Sequence, residues 1–496
     1  MKKLIIVFAI LIQMTAQLSA QSFEFIYSTP DDEVIQDVIQ DTAGNYYLIG
    51  WKGVFGSFFS GLIIKLNPAG DTIKTLTIPA FNINDYLFLE HILRLNDSVF
   101  VITGDAPLVN STDRQILYYK MDNDLNILDF KSFGGTNSSE YVMRLKKGPQ
   151  NELLLTGYSY DTIFHSSMFL YKISPDGDSL QSFYPGFAPG WVSGFDILNL
   201  PDTSGYFLFI NNGGVGGMGN EILKVSNSNT IDTIVDMTGQ IIVTARWLND
   251  SVFATINSKF DTSSNPSDIK LQFRKYDFNL NLVSDTLIGI IDTNTLEPNN
   301  GIDFTNPNNI FAGGTINYSN YFAPNPAYFY LIGFDNNMTP QWQKIFSHND
   351  DYLSLWGVHA THDGGVLLYG TRYNYLTSGF SERDVYVLKL DSLGNFTTGI
   401  NNPIATQVHD VIMYPNPAHD VINIRSTINF PATEIILFDA SGRIVMEKKF
   451  SSPPGRPGGA SASFSVKHLN AGIYFYNIKS SKGNEVRGKM VRPACR

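Results

Sequence analysis

The chain is governed by a repeat. An apolar strand, a lysine, another apolar residue and a turn recur along most of its length. The phrase reads Ile63-Ile64-Lys65-Leu66-Asn67, Tyr118-Tyr119-Lys120-Met121-Asp122, Leu170-Tyr171-Lys172-Ile173-Ser174 and Ile222-Leu223-Lys224-Val225-Ser226. It continues as Phe273-Arg274-Lys275-Tyr276-Asp277, Ile332-Gly333-Phe334-Asp335 and Val387-Leu388-Lys389-Leu390-Asp391. With Gly333 in the sixth lysine position, the intervals are 55, 52, 52, 51, 58 and 56 residues. A second phrase, a polar turn and a short apolar strand often ending in glycine, precedes each copy. It is clearest at Tyr47-Leu48-Ile49-Gly50, Val101-Ile102-Thr103-Gly104, Leu154-Leu155-Thr156-Gly157 and Leu367-Leu368-Tyr369-Gly370. Weaker copies stand at Phe207 to Ile210, Val252 to Thr255 and Ile310 to Gly313.

These strands are apolar on both parities, the pattern of a strand buried on both faces. Units of about 50 residues, each a small sheet stacked face to face on its neighbours, describe a β-propeller. The reading is all-β: a seven-bladed β-propeller over residues 21–400, then a small antiparallel β-sandwich. A β-helix is the main alternative, but its coils are shorter and its turns more regular. Phe25-Ile26-Tyr27-Ser28 before Asp31-Asp32-Glu33 resembles Ile345-Phe346-Ser347-His348 before Asp350-Asp351-Tyr352. The last unit ends in Asn395-Phe396-Thr397-Thr398-Gly399, poor in apolar residues. The N-terminal strand is therefore expected to supply the outer strand of the last blade and remove an exposed edge.

At 496 residues, two or more domains are expected. Charged residues are 16% and the net charge is −11, which excludes the clustered cations a nucleic-acid partner needs. Cys495 is the one cysteine, so neither an internal disulfide nor a cysteine-rich metal site is expected.

The N-terminus reads as a signal peptide over residues 1–20. Lys2 and Lys3 precede an apolar run from Leu4 to Ile12, and Leu18-Ser19-Ala20 places cleavage between Ala20 and Gln21. The run is shorter than the ~20 residues a spanning helix needs, and no transmembrane segment is expected after its removal.

Residues 401–409 read as a linker, and residues 410–493 carry a new pattern. Ile435 to Phe438 and Ile444 to Met446 flank the turn Asp439-Ala440-Ser441-Gly442. Ile473 to Ile478 and Val486 to Val491 flank Ser481-Lys482-Gly483-Asn484, a second hairpin. The opening Tyr414-Pro415-Asn416-Pro417, the turn ending Gly442-Arg443, the strand Leu469-Asn470-Ala471-Gly472-Ile473-Tyr474-Phe475 and the basic end Lys489-Met490-Val491-Arg492 come in a fixed order. This segment resembles the type A sorting domain of the type IX secretion system of Bacteroidota. Two departures are visible: Ser451 to Gly459 reads as a loop insertion, and Pro493-Ala494-Cys495-Arg496 runs past the basic finish. The resemblance implies type IX secretion machinery as a partner. It also implies periplasmic transit, cleavage near residues 400–413 and a mature protein that is secreted or attached at the cell surface. Gly472 is expected to adopt a backbone closed to other residues, permitting a tight turn into Ile473.

Several motifs suggest chemistry that their context does not support. Gly214-Val215-Gly216-Gly217-Met218-Gly219 fits a dinucleotide pattern, but Glu221 to Val225 reads as a strand where that site needs a helix. His359, His362 and Asp363 lack a spacing that would gather them on one strand face. Asp122-Asn123-Asp124 and Asp176-Gly177-Asp178 have calcium-loop character but lie at turns, where these residues serve backbone geometry. The repeated lysines read as snorkelling side chains. No catalytic, cofactor or metal residues are expected. The ligand of the body is expected to be a surface glycan or protein held by a non-catalytic module. The alternatives are a secreted hydrolase with an active site built from propeller loops, and a structural component of the cell surface. Asp-Ser/Thr-apolar triplets, from Asp41-Thr42-Ala43 to Asp391-Ser392-Leu393, resemble the O-glycosylation sequon of exported Bacteroidota proteins.

Overall fold

Branched and aromatic residues on both parities are stable only where a sheet is covered on both sides, and the structure resolves them that way. The computed structural model describes residues 22–396, 405–407, 411–414 and 418–492. Within these, 55–56, 83–84, 110, 136, 162–165, 185–191, 213–218, 237–243, 262–267, 291–292, 319–325, 349–350, 377–381, 419, 427–431, 440–441, 450–460 and 481–484 are left out. Every regular element among the described residues is a strand. The chain divides into two compact units, the main boundary lying between Ile404 and Ala405.

The larger unit is a series of antiparallel sheets, the first five of them meanders in chain order. Sheet one contains Asp32–Gln40, Tyr46–Val54, Phe58–Leu66 and Thr72–Ile78. Sheet two contains Phe88–Arg94, Val99–Pro107, Arg114–Asp122 and Ile127–Phe133. Sheet three contains Ser138–Lys147, Leu153–Asp161, Ser166–Ile173 and Ser179–Phe183. Sheet four contains Val192–Asn199, Gly205–Asn212, Gly219–Ser226 and Ile231–Asp236. Sheet five contains Thr244–Asn249, Val252–Asp261, Asp268–Asp277 and Leu282–Ile288. In sheet six, Thr295–Leu296 and Ile302–Asn306 both pair with Asn309–Ile316, which is followed by Tyr328–Phe334 and Pro340–Phe346. Sheet seven contains Asp351–Ala360, Val366–Asn374 and Asp384–Leu390, and its fourth strand is Phe23–Tyr27. That N-terminal strand is antiparallel to its partner, with Phe23 opposite Lys389 and Tyr27 opposite Val385.

Burial falls from the second and third strands to the fourth. Tyr46–Val54 is buried almost throughout, whereas Thr72–Ile78 and Ile127–Phe133 are mostly exposed. Apolar clusters fill the spaces between consecutive sheets; one joins Ile49, Ile63, Ile92, Ile102 and Leu117 of sheets one and two. Another joins Phe23, Leu367, Val385 and Val387 of sheet seven to Ile35, Leu48 and Ile64 of sheet one. The same two sheets are tied where Arg383 donates to both carboxylate oxygens of Asp32, at 3.2 Å each, and the Glu33 amide donates to the Arg383 carbonyl at 2.7 Å.

The recurrent glycine has a steric cause. Sheets one, two, three and seven each carry a β-bulge in the first strand, between Ile35 and Asp37, Leu89 and His91, Val142 and Arg144, and Leu355 and Gly357. The residues facing these bulges are Gly50, Gly104, Gly157 and Gly370. A methyl group on Gly50, Gly104 or Gly157 would lie 1.9 Å from a carbonyl oxygen of the bulged strand, and on Gly370 2.0 Å. In sheet four the arrangement differs: Gly194 sits on the bulged strand, opposite Ile210. There a methyl group on Gly194 would lie 2.0 Å from the Thr156 hydroxyl of sheet three, so this glycine answers to the neighbouring sheet, and Ile210 faces the bulge.

The turns between third and fourth strands also share a form. In Asp122 to Asn126, the Asp122 carboxylate accepts from the amides of Asp124 and Asn126, both at 2.9 Å. Ser174 does the same with its hydroxyl for Asp176 and Asp178. The apparent calcium-loop residues are thus engaged in turn geometry. The lysines preceding these turns reach the turn of the next sheet. Lys65 donates to the Asn123 carbonyl at 2.7 Å, Lys172 to that of Asn227 at 2.6 Å and Lys275 to that of Asn337 at 2.9 Å. Lys120 pairs with Asp176 at 2.5 Å, and Lys224 lies 4.9 Å from the Phe278 ring centre. Their stems snorkel as expected, but their heads join consecutive sheets. Gly333 occupies the lysine position, opposite Phe311, and Trp342 fills the space beside it.

The smaller unit pairs Val411–Tyr414, Val421–Ser426 and Ser461–Ser465 in one sheet. Ile444–Lys449, Ala432–Phe438, Gly472–Ser480 and Glu485–Arg492 form another. Ile422, Ile424, Ile435, Leu437, Ile478 and Met490 share its core.

Removing Phe23 to Ser28 should expose the Asp384–Leu390 edge and lower the melting temperature of the body by on the order of 5 °C. An unchanged melting curve would show that the N-terminal strand does not hold sheet seven.

Candidate functional site

Bulges in five of the first strands flank a common centre, where polar groups from five sheets meet. The centre is Asn300, in the segment between Leu296 and Ile302 of sheet six. Its Oδ1 accepts from Arg144 of sheet three at 2.5 Å. Its Nδ2 donates to the Tyr369 hydroxyl of sheet seven at 2.8 Å and to Asp37 of sheet one at 3.1 Å. The neighbouring Asn299 carbonyl accepts from Arg144 at 2.9 Å and from Thr244 of sheet five at 2.8 Å. The Asn300 backbone bonds Trp356 and Val358 of sheet seven.

Three aspartates around this centre join consecutive sheets. Asp37 accepts from the Ile92 amide at 3.1 Å, Asp196 from Ala245 at 2.8 Å and Asp303 from Ala360 at 2.9 Å. Each bond runs to the first strand of the next sheet. Cations offset their charge: Arg144 and Lys146 stand 3.2 and 3.6 Å from Asp196, and Arg246 stands 3.8 Å from Asp303. Burial alone would raise Asp37, but the His91 contact and the Ile92 and Val38 amides outweigh it and hold the carboxyl below its ordinary value. Asp196 is also held low: Lys146, Arg144 and Arg246 overcome its burial. Burial pushes Lys146 down to about 8, with Arg246 adding to the effect. Burial also lowers His91 and His359, favouring neutral imidazoles. Opposite charges in this network are matched and mutually bonded, an arrangement that orders strands.

Beside these residues stand the bulge residues themselves: Gln36, Glu90, Met143, Phe195 and Trp356. Gln36 is 8% exposed. Its Oε1 and the Trp356 Nε1 are buried without a hydrogen-bond partner among the described residues. Burial, with Asp105 adding, pushes Glu90 up to about 8 against the pull of Arg114. Trp356 packs with Val34, Trp51, Phe59, Tyr86 and Phe88. The aromatic strip continues through Arg114, whose guanidinium lies 5.0 Å from the Phe88 ring centre and 5.5 Å from that of Tyr141. Tyr141 stacks on Tyr158 at 4.9 Å.

The sequence motifs fall elsewhere. His359 faces Asp303 at 3.6 Å, while Asp363 pairs with Lys389 at 3.0 Å. No group of three or more potential ligands is gathered for a metal among the described residues. Of the glycine-rich run, 214–218 lie outside the described residues, and the segment after it is the strand Gly219–Ser226. Thr42, Thr72, Ser98, Ser179, Thr233, Ser251, Thr286 and Ser392 of the Asp-Ser/Thr triplets are all exposed.

Ala20 and Gln21 lie outside the described residues, as do Pro415, Asn416, Pro417 and 451–459 of the smaller unit. Tyr414 ends a strand opposite Asn423, and Lys489 pairs with Phe475. Tyr474 is buried, with its hydroxyl on the Asn470 carbonyl at 2.8 Å. Arg492 is buried too, donating to the Lys467 carbonyl at 3.2 Å. The expectation for Gly472 is corrected. It lies in strand without left-handed backbone, and Gly442, at φ 83°, is the glycine that a turn requires.

The sequence reading missed Asn300 and the whole network. A signal existed for part of it: Asp37, His91, Arg144 and Gly357 each stand thirteen residues before the recurrent glycine. At Gly357 the Tyr369 hydroxyl occupies the space a side chain would take.

Residues 412–492 match the family described as secretion system C-terminal sorting domain. That segment is a sorting domain, and it marks the chain for export through a secretion system. No curated protein matches the sequence. Among solved structures, the chain is similar to the β-propeller domain of the Trilobed protease from Pyrococcus furiosus, at 10% identity and a TM-score of 0.41, covering 76% of this chain and 98% of that one. It is similar to Drosophila Semaphorin 2a at 7% identity and a TM-score of 0.44, covering 96% and 98%. Oligogalacturonate lyase from Vibrio parahaemolyticus is similar at 10% identity and a TM-score of 0.40, covering 75% and 99%.

Replacing Asn300 with alanine leaves Arg144, Asp37 and Tyr369 short of a partner in a buried setting. Urea unfolding should show a loss of about 2–4 kcal/mol. A loss under about 0.5 kcal/mol would place the central bonds outside the stability of the body.

Proposed function

We propose that the protein is an exported binding module: a closed seven-bladed propeller that displays a ligand-binding centre, delivered by its C-terminal sorting domain. The match over residues 412–492 carries the export reading. The signal peptide would take the chain to the periplasm, with cleavage between Ala20 and Gln21. The type IX machinery of a Bacteroidota host would then recognise the folded sandwich. Cleavage near residues 400–413 would leave the body released or attached at the cell surface. The meander sheets and the contact between sheets one and seven support a closed ring.

A non-catalytic role is supported by the centre itself, where acids and cations are paired with one another around Asn300. The body would hold a surface glycan or protein. The exposed Asp-Ser/Thr triplets would carry O-linked sugars on the exported form.

Removal of residues 405–496 should leave a folded body in the periplasm, detected by cell fractionation. Normal appearance of the truncated chain at the surface would make the domain an accessory module. Intact mass of the native protein should exceed that of the polypeptide by sugar increments, with increments lost on Thr42→Ala, Thr72→Ala or Ser98→Ala. A native protein at its bare mass would remove the glycosylation reading.

A further inference from the structure

Gln36, Glu90, Met143, Phe195 and Trp356 are products of one backbone device, and each adjoins the Asn300 network. Gln36 precedes Asp37, which bonds Asn300. Met143 precedes Arg144, which bonds both Asn299 and Asn300. The Trp356 carbonyl accepts the Asn300 amide, and the Phe195 carbonyl accepts from Arg144. Glu90 precedes His91, which lies 3.7 Å from Asp37. Five bulge residues from sheets one, two, three, four and seven therefore border one network.

The polar ends in this ring are incomplete. Gln36 Oε1 is a buried acceptor and Trp356 Nε1 a buried donor, neither with a partner among the described residues. Such groups are costly to bury unless something bonds them. Glu90 as a residue is half-buried. Met143, Phe195 and Trp356 are each half-buried apolar residues. Charge is matched in the adjoining network, and no cation belongs to the ring.

We propose that this ring is a binding site for an uncharged sugar residue of a glycan. A sugar hydroxyl both donates and accepts, so it satisfies Gln36 and Trp356 alike, while the CH face of the ring packs on the aromatic surfaces. None of these five side chains is a cation that would hold an anionic ligand. The proposal rests on the binding-module reading and names the ligand class for it. Glu90 serves as a hydroxyl donor in its neutral form. The charged and titratable groups facing it are Asp105 and Arg114 of its own sheet, Asp37 of sheet one and Tyr158 of sheet three. Its carboxyl stays protonated up to pH about 8 and ionises above, losing the donor.

The test uses the full chain and four neutral hexasaccharides, of glucose, mannose, xylose and galactose, with hexagalacturonate and a random hexapeptide pool as controls. Tryptophan fluorescence and titration calorimetry should show saturable binding of at least one neutral sugar. Trp356→Phe, which removes the Nε1 donor, and Gln36→Leu should each weaken it by about tenfold, the equivalent of one hydrogen bond. Melting curves for both variants check that the body is folded. Wild-type affinity should fall between pH 7 and pH 9, and Glu90→Gln should flatten that profile. Sugar binding that survives both substitutions in folded protein would overturn this site while leaving the binding module intact. Binding of the peptide pool or hexagalacturonate alone would overturn the ligand class. Absence of binding by every probe would overturn the sugar site and leave only a folded protein as ligand for the binding-module reading.

Discussion

The architecture of the body depends on how closely two strands approach at a β-bulge. An extra residue in the first strand brings a carbonyl oxygen to within 2.0 Å of where a side chain on the facing strand would begin. Only glycine admits that approach without moving the backbone. In return the bulge re-aims the residue that follows it. Asp37, His91, Arg144 and Asp196 occupy that place, and Asn300 joins two of them directly. The centre is thus built by backbone geometry first and by side-chain chemistry second.

Two kinds of polar tie then supplement the apolar contacts between sheets. At the centre, aspartates bind the amide of the next first strand; farther out, lysines bind the turn of the next sheet. A charge-assisted bond contributes more than a neutral one, about 1.5–3 kcal/mol where it is shielded from water. The Asp196 bond is fully buried and belongs in that range, whereas the Lys120–Asp176 pair is solvent-exposed and worth little on its own. The lysine ties matter more for alignment: five consecutive lysine positions point the same way around the series.

The sorting domain obeys different constraints, since several of its signature residues build its own sheet. Tyr474 and Arg492 are buried and hydrogen-bonded back to nearby carbonyls, so changing them disturbs the sandwich as well as any surface the machinery reads. Gly442 answers to turn geometry, and Gly472 lies in ordinary strand. A motif in such a small unit is in part a record of how it folds.

Local patterns made much of the fold legible. The period of about 50 residues, the two-sided apolar strands and the turn-forming Asp, Asn and Gly are short-range properties, so the sequence determined the recurrent strands of the body and the separate C-terminal unit. It also pointed to the N-terminal strand as the last partner, because Phe25-Ile26-Tyr27-Ser28 repeats a pattern found at the end of another unit. The centre was not legible in the same way. Asn300 meets Arg144 across 156 residues and Asp37 across 263, and an asparagine in a polar loop looks like any turn residue. Gly333 broke the repeat, yet it makes room for Trp342, and Gly194 makes room for the Thr156 side chain of the neighbouring sheet. Periodicity records what each unit needs for itself. Which unpaired groups face one another across the molecule follows only from where the sheets converge.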